Sequence, residues 1–153
     1  MPITYRIATM DDLRTITDLS LLMQTGEYCG EDTEEDLIRW ITKGLQYPEM
    51  EIFLAFDGDK AVGFSHVLIR HEWFWSENQE GPVGYLDIIF MHPDYRRQGI
   101  AETLVKMCED WSRERDCIEF ASSCDLENEV SFAFHTGIGF REIHRIIHFT
   151  KEL

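Results

Sequence analysis

Residues 83–111 read VGYLDIIFMHPDYRRQGIAETLVKMCEDW, and the order of chemistry along them decides the architecture. The first nine are apolar around one carboxylate, Asp87, which describes a strand carrying a single charge in its middle. A turn around Pro93 follows. Arg96, Arg97, Gln98, Gly99, Ile100 and Ala101 then run into a segment where Ile100, Leu104, Met107 and Trp111 recur at helical spacing. A loop that leaves a strand and starts a helix through a glycine aims several unpaired backbone N–H groups at one point, backed by the helix's partial positive end. That is the chemistry of an anion site. Gly99 lets a ligand approach the backbone, Ala101 keeps the next turn uncluttered, and the two arginines add charge. The pattern R-x-x-G-x-A is neither the dinucleotide fingerprint G-x-G-x-x-G nor the phosphate loop G-x-x-x-x-G-K. Taken alone, a solvated basic helix start explains it as well as an anion cradle does.

Upstream, ITYRIAT (3–9) alternates with Ile3, Tyr5 and Ile7 on one face, which predicts a first strand. Thr9 and Asp12 form a capping box ahead of a helix whose apolar stripe is Leu13, Ile16, Leu19 and Met23. After an acidic break over 25–36, Thr33 and Asp36 form a second box, Leu37, Ile41 and Leu45 point inward, and Tyr47-Pro48 ends the helix. Residues 51–73 read as a hairpin turning at Asp57-Gly58-Asp59, and 76–82 as a loop. Downstream, 117–123 predicts a short strand, 128–139 a short helix closed by Gly137 and Gly139, and FREIHRIIHFTKEL a final strand. No repeat or linker interrupts this order, so one domain spanning 1–153 is expected, an α/β (α+β) layer rather than a doubly wound sheet.

A chain of 153 residues can bury roughly 68–70% of its unfolded surface, enough for a core without staples. Twenty-nine acidic against fourteen basic residues, a net charge of −15, argue against nucleic acid or an anionic membrane as partner and favour a cationic small molecule. The same charge also serves plain solubility. No apolar run approaches the ~20 residues of a membrane helix, and the N-terminus lacks a signal-peptide pattern, so a cytoplasmic protein is expected. Cys29, Cys108, Cys117 and Cys124 form no C-x-x-C pair and read as reduced, packed thiols. His71, His92, His144 and His148 show no metal-ligand spacing, and no metal is expected.

Together with SSCDLENEVSFAFHTGIGF (122–140), the opening stretch resembles the GNAT family of acetyl-CoA-dependent N-acetyltransferases across nearly the whole chain. Arg96 to Ala101 match its Q/R-x-x-G-x-G/A coenzyme loop, Asn128 matches an asparagine opening the next helix, and Phe134-His135 with Gly137-Ile138-Gly139-Phe140 match its closing motif. GPVGYLDIIFMHPDYRRQGIA, CIEFASSCDLENEVS and GFREIHRIIHF are similar to the aminoglycoside 6'-N-acetyltransferase branch. The resemblance implies a mixed, mostly antiparallel sheet flanked by helices, direct attack of an amine on acetyl-CoA, and a small cationic acceptor. In the branch the strand carboxylate, here Asp87, faces the aminoglycoside, while Ile89, Phe90 and Met91 pair with the pantetheine arm. Arg96, Arg97, Gln98, Gly99, Ile100, Ala101 and Glu102 would hold the pyrophosphate, with Asn128 and His135 as further coenzyme contacts. The branch's carboxylates after the AS pair and near the C-terminus fall on Ser123, followed by Asp125, and on His144. Its aromatic in the RHDY-like segment is Trp73.

Acetyl transfer from a thioester to an amine requires a neutral amine, a polarised carbonyl and a protonated leaving thiol. A backbone N–H of Phe90 or Met91 would polarise the carbonyl and Asp87 would orient the ammonium. A carboxylate at that place also reads as a hydrogen-bonded structural residue. His135 stands where the family carries the acid for the thiolate, or is a helix-end histidine. Glu72 is a second base candidate. Trp73, Phe74 and Trp75 read as a substrate wall or as packing. The apolar HRIIHF segment predicts pairing across a two-fold axis in a homodimer.

Overall fold

Strands form at the alternating apolar runs: β1 (Ile3–Ile7), β2 (Met50–Asp57), β3 (Lys60–Arg70), β4 (Val83–Met91) and the short β5 (Phe120–Ser122). The computed structural model describes residues 2–26, 30–77 and 81–153, with the backbone but not the side chain of Trp73. The five strands hydrogen-bond in the order β1-β2-β3-β4-β5, antiparallel except for the parallel β4/β5 pair. This is the mixed, mostly antiparallel sheet expected. Four helices accompany it among the described residues: α1 (Leu13–Gln24), α2 (Glu34–Gln46), α3 (Ile100–Arg113) and α4 (Glu129–Gly137).

The caps anticipated from sequence do their work locally. Asp36 N–H donates to Thr33 Oγ1 at 3.1 Å while Thr33 N–H donates to Asp36 Oδ2 at 3.1 Å, satisfying two donors that the start of α2 would leave unpaired. Thr9 N–H likewise donates to Asp12 Oδ2 at 2.8 Å, although the turn it caps is a single 3-10 turn, Met10–Asp12, that leads into α1. Asp12 has a further partner that spacing did not indicate. Both terminal nitrogens of Arg6, on β1, donate to its carboxylate at 2.8 Å.

That fork, aided by the Thr9 N–H, holds the Asp12 carboxyl below the usual aspartate range. A depressed folded-state pKa means that the unfolded chain takes up the proton first as pH falls. The stabilisation is therefore complete above an unfolded aspartate's ~3.9 and disappears as pH drops through the lower folded value. Urea denaturation should find Asp12→Asn less stable than the wild type at pH 7, and the difference should shrink at pH 3.

Two layers of helix cover unit 1, residues 1–123. On one face Ile16 and Leu19 of α1 and Leu37 and Ile41 of α2 pack with Ile52, Leu54, Phe64 and Phe90 of the sheet. Each such fully buried side chain contributes about 1.5–3 kcal/mol. Alternation along β3 turns Ser65 to the other face, where Cys108 of α3 donates through its Sγ to Ser65 Oγ at 3.2 Å. Helix and strand approach closely there: a Cβ added at Gly84 of β4 would lie 2.1 Å from Ser112 Oγ on α3.

Unit 2, residues 124–153, holds α4. Asn128 caps it by accepting from Ser131 N–H at 3.0 Å. The final strand expected over 140–153 is not formed: these residues carry neither helix nor strand, and 141–153 are exposed. Alternating apolar residues supply side chains for a strand but not the backbone partner that a ladder requires. β5 is also shorter than the predicted 117–123, for pairing with β4 covers Phe120 to Ser122 only.

Candidate active site

β4 pairs with β3 in two registers. His66 lies opposite Ile88 while Val67 lies opposite Leu86, so Asp87 is the extra residue of a β-bulge. A bulge re-aims one side chain, and this one leaves the Asp87 side chain 30% exposed with Oδ2 3.2 Å from His66 Nδ1. The other edge of β4 pairs with β5 only as far as Leu86 and Ser122. Past that point no described strand lies along residues 87–91 on that side.

The phase of the backbone there follows from one bond. His92 N–H donates across to the Val62 carbonyl at 2.7 Å. Antiparallel pairs alternate, so Phe90 also spends its N–H and C=O on β3, and the corresponding groups of Ile89 and Met91 face the open edge. Of the two oxyanion donors considered from sequence, Met91 is therefore the one whose N–H is turned outward. Arg96 Nε lies 3.4 Å from the Met91 carbonyl. An open strand edge accepts an extended ligand by adding it as a further strand. Here that edge begins beside a carboxylate.

The loop after β4 is pinned to the β2/β3 turn. Tyr95 OH donates to Asp57 Oδ2 at 2.8 Å, which raises the phenol's pKa, and His92 Nδ1 accepts from Asp94 N–H at 3.2 Å. Arg97 (φ 61°) and Gly99 (φ 78°) both adopt left-handed backbone. A side chain in that region costs about 1–2 kcal/mol, whereas Gly99 at the N-cap of α3 carries no such cost. The first main-chain bond of the helix runs from Thr103 N–H to the Gly99 carbonyl at 3.2 Å. The N–H groups of Ile100, Ala101 and Glu102 thus precede the helical ladder, the arrangement an anion needs. Arg96, Arg97, Gln98 and Gly99 are exposed around them, while the Ile100 side chain is buried and anchors the turn.

The remaining predicted residues divide between the two units. Glu72 accepts from His71 N–H at 3.1 Å, and its own and the His71 backbone N–H groups hold its carboxyl below the ordinary range, which weakens it as a base. The Trp73 side chain lies outside the described residues. Phe74 and Trp75 pack together with ring centroids 4.8 Å apart, and Trp75 meets the Tyr85 ring edge-on at 4.7 Å. Ser123 hydrogen-bonds the Tyr85 hydroxyl, and the Arg70 guanidinium lies 4.8 Å over the same ring. Burial pushes the Tyr85 phenol up.

In unit 2, Asp125 and His144 are exposed. His135 Nδ1 lies 2.6 Å from the Ser131 carbonyl; a carbonyl only accepts, so Nδ1 carries the proton and Nε2 can donate only from the doubly protonated ring. Burial pushes the Cys108 thiol up to about 12 and raises Cys117 as well, so neither supplies a thiolate nucleophile. Cys29 lies outside the described residues, among which no three His, Cys, Asp or Glu gather as a metal site.

His66, the neighbour of Asp87, is a residue that sequence reasoning passed over. Its only signal is a polar ring in the middle of the apolar run GFSHVLI, and pairing it with Asp87 takes the β3/β4 register.

The profile of the Acetyltransferase (GNAT) family matches residues 13–140. An aminoglycoside N(6')-acetyltransferase type 1 of Acinetobacter genomosp. 13 is 37% identical over 123 residues, 80% of this chain and 84% of that one. The enzyme of that name from Klebsiella aerogenes is 39% identical over 123 residues, 80% of each chain. Among solved structures, AAC(6')-Iy in complex with the bisubstrate analogue CoA-S-monomethyl-acetylneamine superimposes with a TM-score of 0.88 at 25% identity, over 100% of both chains.

Proposed function

The chain belongs to the GNAT acetyltransferase family, and from that premise we propose that it transfers acetyl from acetyl-CoA directly to the 6'-amine of an aminoglycoside. One observation carries the reading: the bulge at Asp87 sets a carboxylate where the open edge of β4 begins. The relatives of AAC(6') type and the net charge of −15 support a cationic acceptor.

In this reading the outward backbone groups of Ile89 and Met91 pair with the extended arm of acetyl-CoA. The Met91 N–H polarises the thioester carbonyl. Arg96 and Arg97 with the N–H groups of Ile100, Ala101 and Glu102 hold the pyrophosphate, and the uncluttered loop from Gln98 through Gly99 lets it approach. Asp87 binds the acceptor ammonium and passes its proton to water, so that a neutral amine attacks. A C–N bond forms, the C–S bond breaks, and the thiolate regains a proton. His135 in its doubly protonated form is the proposed donor, and Asn128 a further coenzyme contact, both on the strength of the sequence resemblance. Trp73, Ser123, Asp125 and His144 are proposed acceptor contacts on the same ground. The reaction needs no metal ligand from this chain.

A homodimer is part of the proposal. Ile143, Ile146, Ile147 and Phe149 are exposed in the single chain, which supports a second copy covering them. A cytoplasmic site of action is proposed as well. No helix among the described residues is long and apolar enough to cross a membrane.

The acceptor is tested by following CoA release from acetyl-CoA with aminoglycosides that carry or lack a free 6'-amine, with polyamines and with peptide N-termini. Turnover is expected only with the free 6'-amine. Turnover on peptides or polyamines alone would assign another acceptor, and acetyl-CoA binding without turnover on any amine would leave a binding module.

A further inference from the structure

We propose that His66 is a positioning residue for acetyl transfer, holding the Asp87 carboxylate by one oxygen so that the other meets the acceptor ammonium. The proposal rests on the reading of Asp87 as the residue that binds the amine. His66 is 3% exposed, near the middle of β3, on the sheet face covered by α2. Its Nδ1 lies 3.2 Å from Asp87 Oδ2. An ionised carboxylate only accepts, so Nδ1 carries the hydrogen.

The other ring nitrogen settles what kind of partner this is. Nε2 is buried with no hydrogen-bond partner among the described residues, and it abuts α2 so closely that a Cβ added at Gly44 would lie 3.1 Å from it. The Trp40 ring packs against the imidazole with centroids 5.6 Å apart. With the hydrogen on Nδ1, Nε2 is a bare lone pair. It faces helix backbone and finds no partner among the described residues, so the ring's one hydrogen bond is the one to Asp87. The ring is thereby clamped between Trp40, Gly44 and Asp87, and it offers the carboxylate one donor of fixed direction.

Position matters here because Asp87 sits on a bulge. The extra residue in β4 has no opposite number in the β3 ladder, so its side-chain direction is less constrained by sheet pairing than that of its neighbours. A carboxylate left to rotate would present the amine at varying distances from the thioester carbonyl, and small errors of placement are expensive in rate. His66 removes that freedom from the β3 side.

The test uses the full chain and three substitutions. His66→Asn keeps an N–H near the Nδ1 position; His66→Gln carries its amide one methylene further and misses Asp87; His66→Leu removes the donor. Steady-state kinetics should show kcat for the amine falling about 10- to 100-fold in the Leu and Gln variants, a loss the size of one positioning hydrogen bond. KM for acetyl-CoA should stay at its wild-type value, and His66→Asn should recover most of kcat. In an Asp87→Asn background, His66→Leu should cost little more, because both changes disable the same group. Should the Leu variant fail to fold, as judged by thermal unfolding, the Gln and Asn pair decides. An unchanged kcat in the Gln variant, an Asn variant no better than Gln, or additive losses with Asp87→Asn would overturn the proposal. An Asp87→Asn enzyme of undiminished turnover would instead remove the reading it rests on.

Discussion

Replacing Asp87 with Asn is expected to lower kcat/KM for a 6'-amino aminoglycoside by about 10²–10⁴-fold, the range for losing a group that handles the reacting proton. The substitution conserves size, so what changes is charge. Two unit charges about 4 Å apart near a protein surface attract by about 4 kcal/mol, and at 1.36 kcal/mol per tenfold that attraction alone reaches about 10³. Asn still accepts one hydrogen bond through its carbonyl oxygen, so the His66 ring retains a partner and the fold should stand. The loop from Arg96 to Ala101, proposed to hold the coenzyme, is pinned independently, by Tyr95 to Asp57. Acetyl-CoA should accordingly bind Asp87→Asn as it binds the wild type. Steady-state kinetics with isothermal titration of acetyl-CoA checks both halves. Normal turnover would sink the catalytic assignment, and lost coenzyme binding would show that Asp87 organises the whole site instead.

Gly84→Ala should be a strongly damaging single-methyl addition to the sheet. The new Cβ would lie 2.1 Å from Ser112 Oγ, 2.5 Å from Ser112 Cβ and 3.0 Å from Phe120 Cδ1. Rotating Ser112 does not relieve this, because its Cβ is itself too close and its hydroxyl is committed to the Cys108 carbonyl at 2.8 Å. Helix α3 must move away from β4, or β5 must. Overpacking of this kind costs about 1–3 kcal/mol, a loss of roughly 3–10 °C in Tm for a chain of this size. The strain falls at the first pair of the β4/β5 ladder, Gly84 with Phe120, two residues before the strands part after Leu86 and Ser122, so the open edge should be disturbed and kcat should fall as well. Thermal unfolding reads the first effect. Adding Ser112→Gly should recover part of it by vacating both clashing atoms. A Gly84→Ala protein that melts with the wild type would show that α3 does not approach β4 as closely as described.

Elements whose stabilising partners are sequence neighbours were legible without any structure. The two capping boxes join residues three apart, the stripes of α1, α2 and α3 repeat every three or four residues, and the proposed coenzyme loop is six consecutive residues, so the chain itself writes down who meets whom. The order of elements, and with it the family, follows from such local patterns. The determinants of the site that were not legible are pairings across distance. Asp87 reads as one charge in an apolar strand, and only the β3/β4 register makes it a bulge with His66, 21 positions away, against its carboxylate. Gly84 reads as an ordinary strand residue until α3 is laid against it. HRIIHF has the composition of a strand, yet it carries no strand structure. Local free energies depend on spacing, which a sequence displays, whereas register, close approach and sheet edges depend on which distant backbone lies alongside, and that only the folded chain decides.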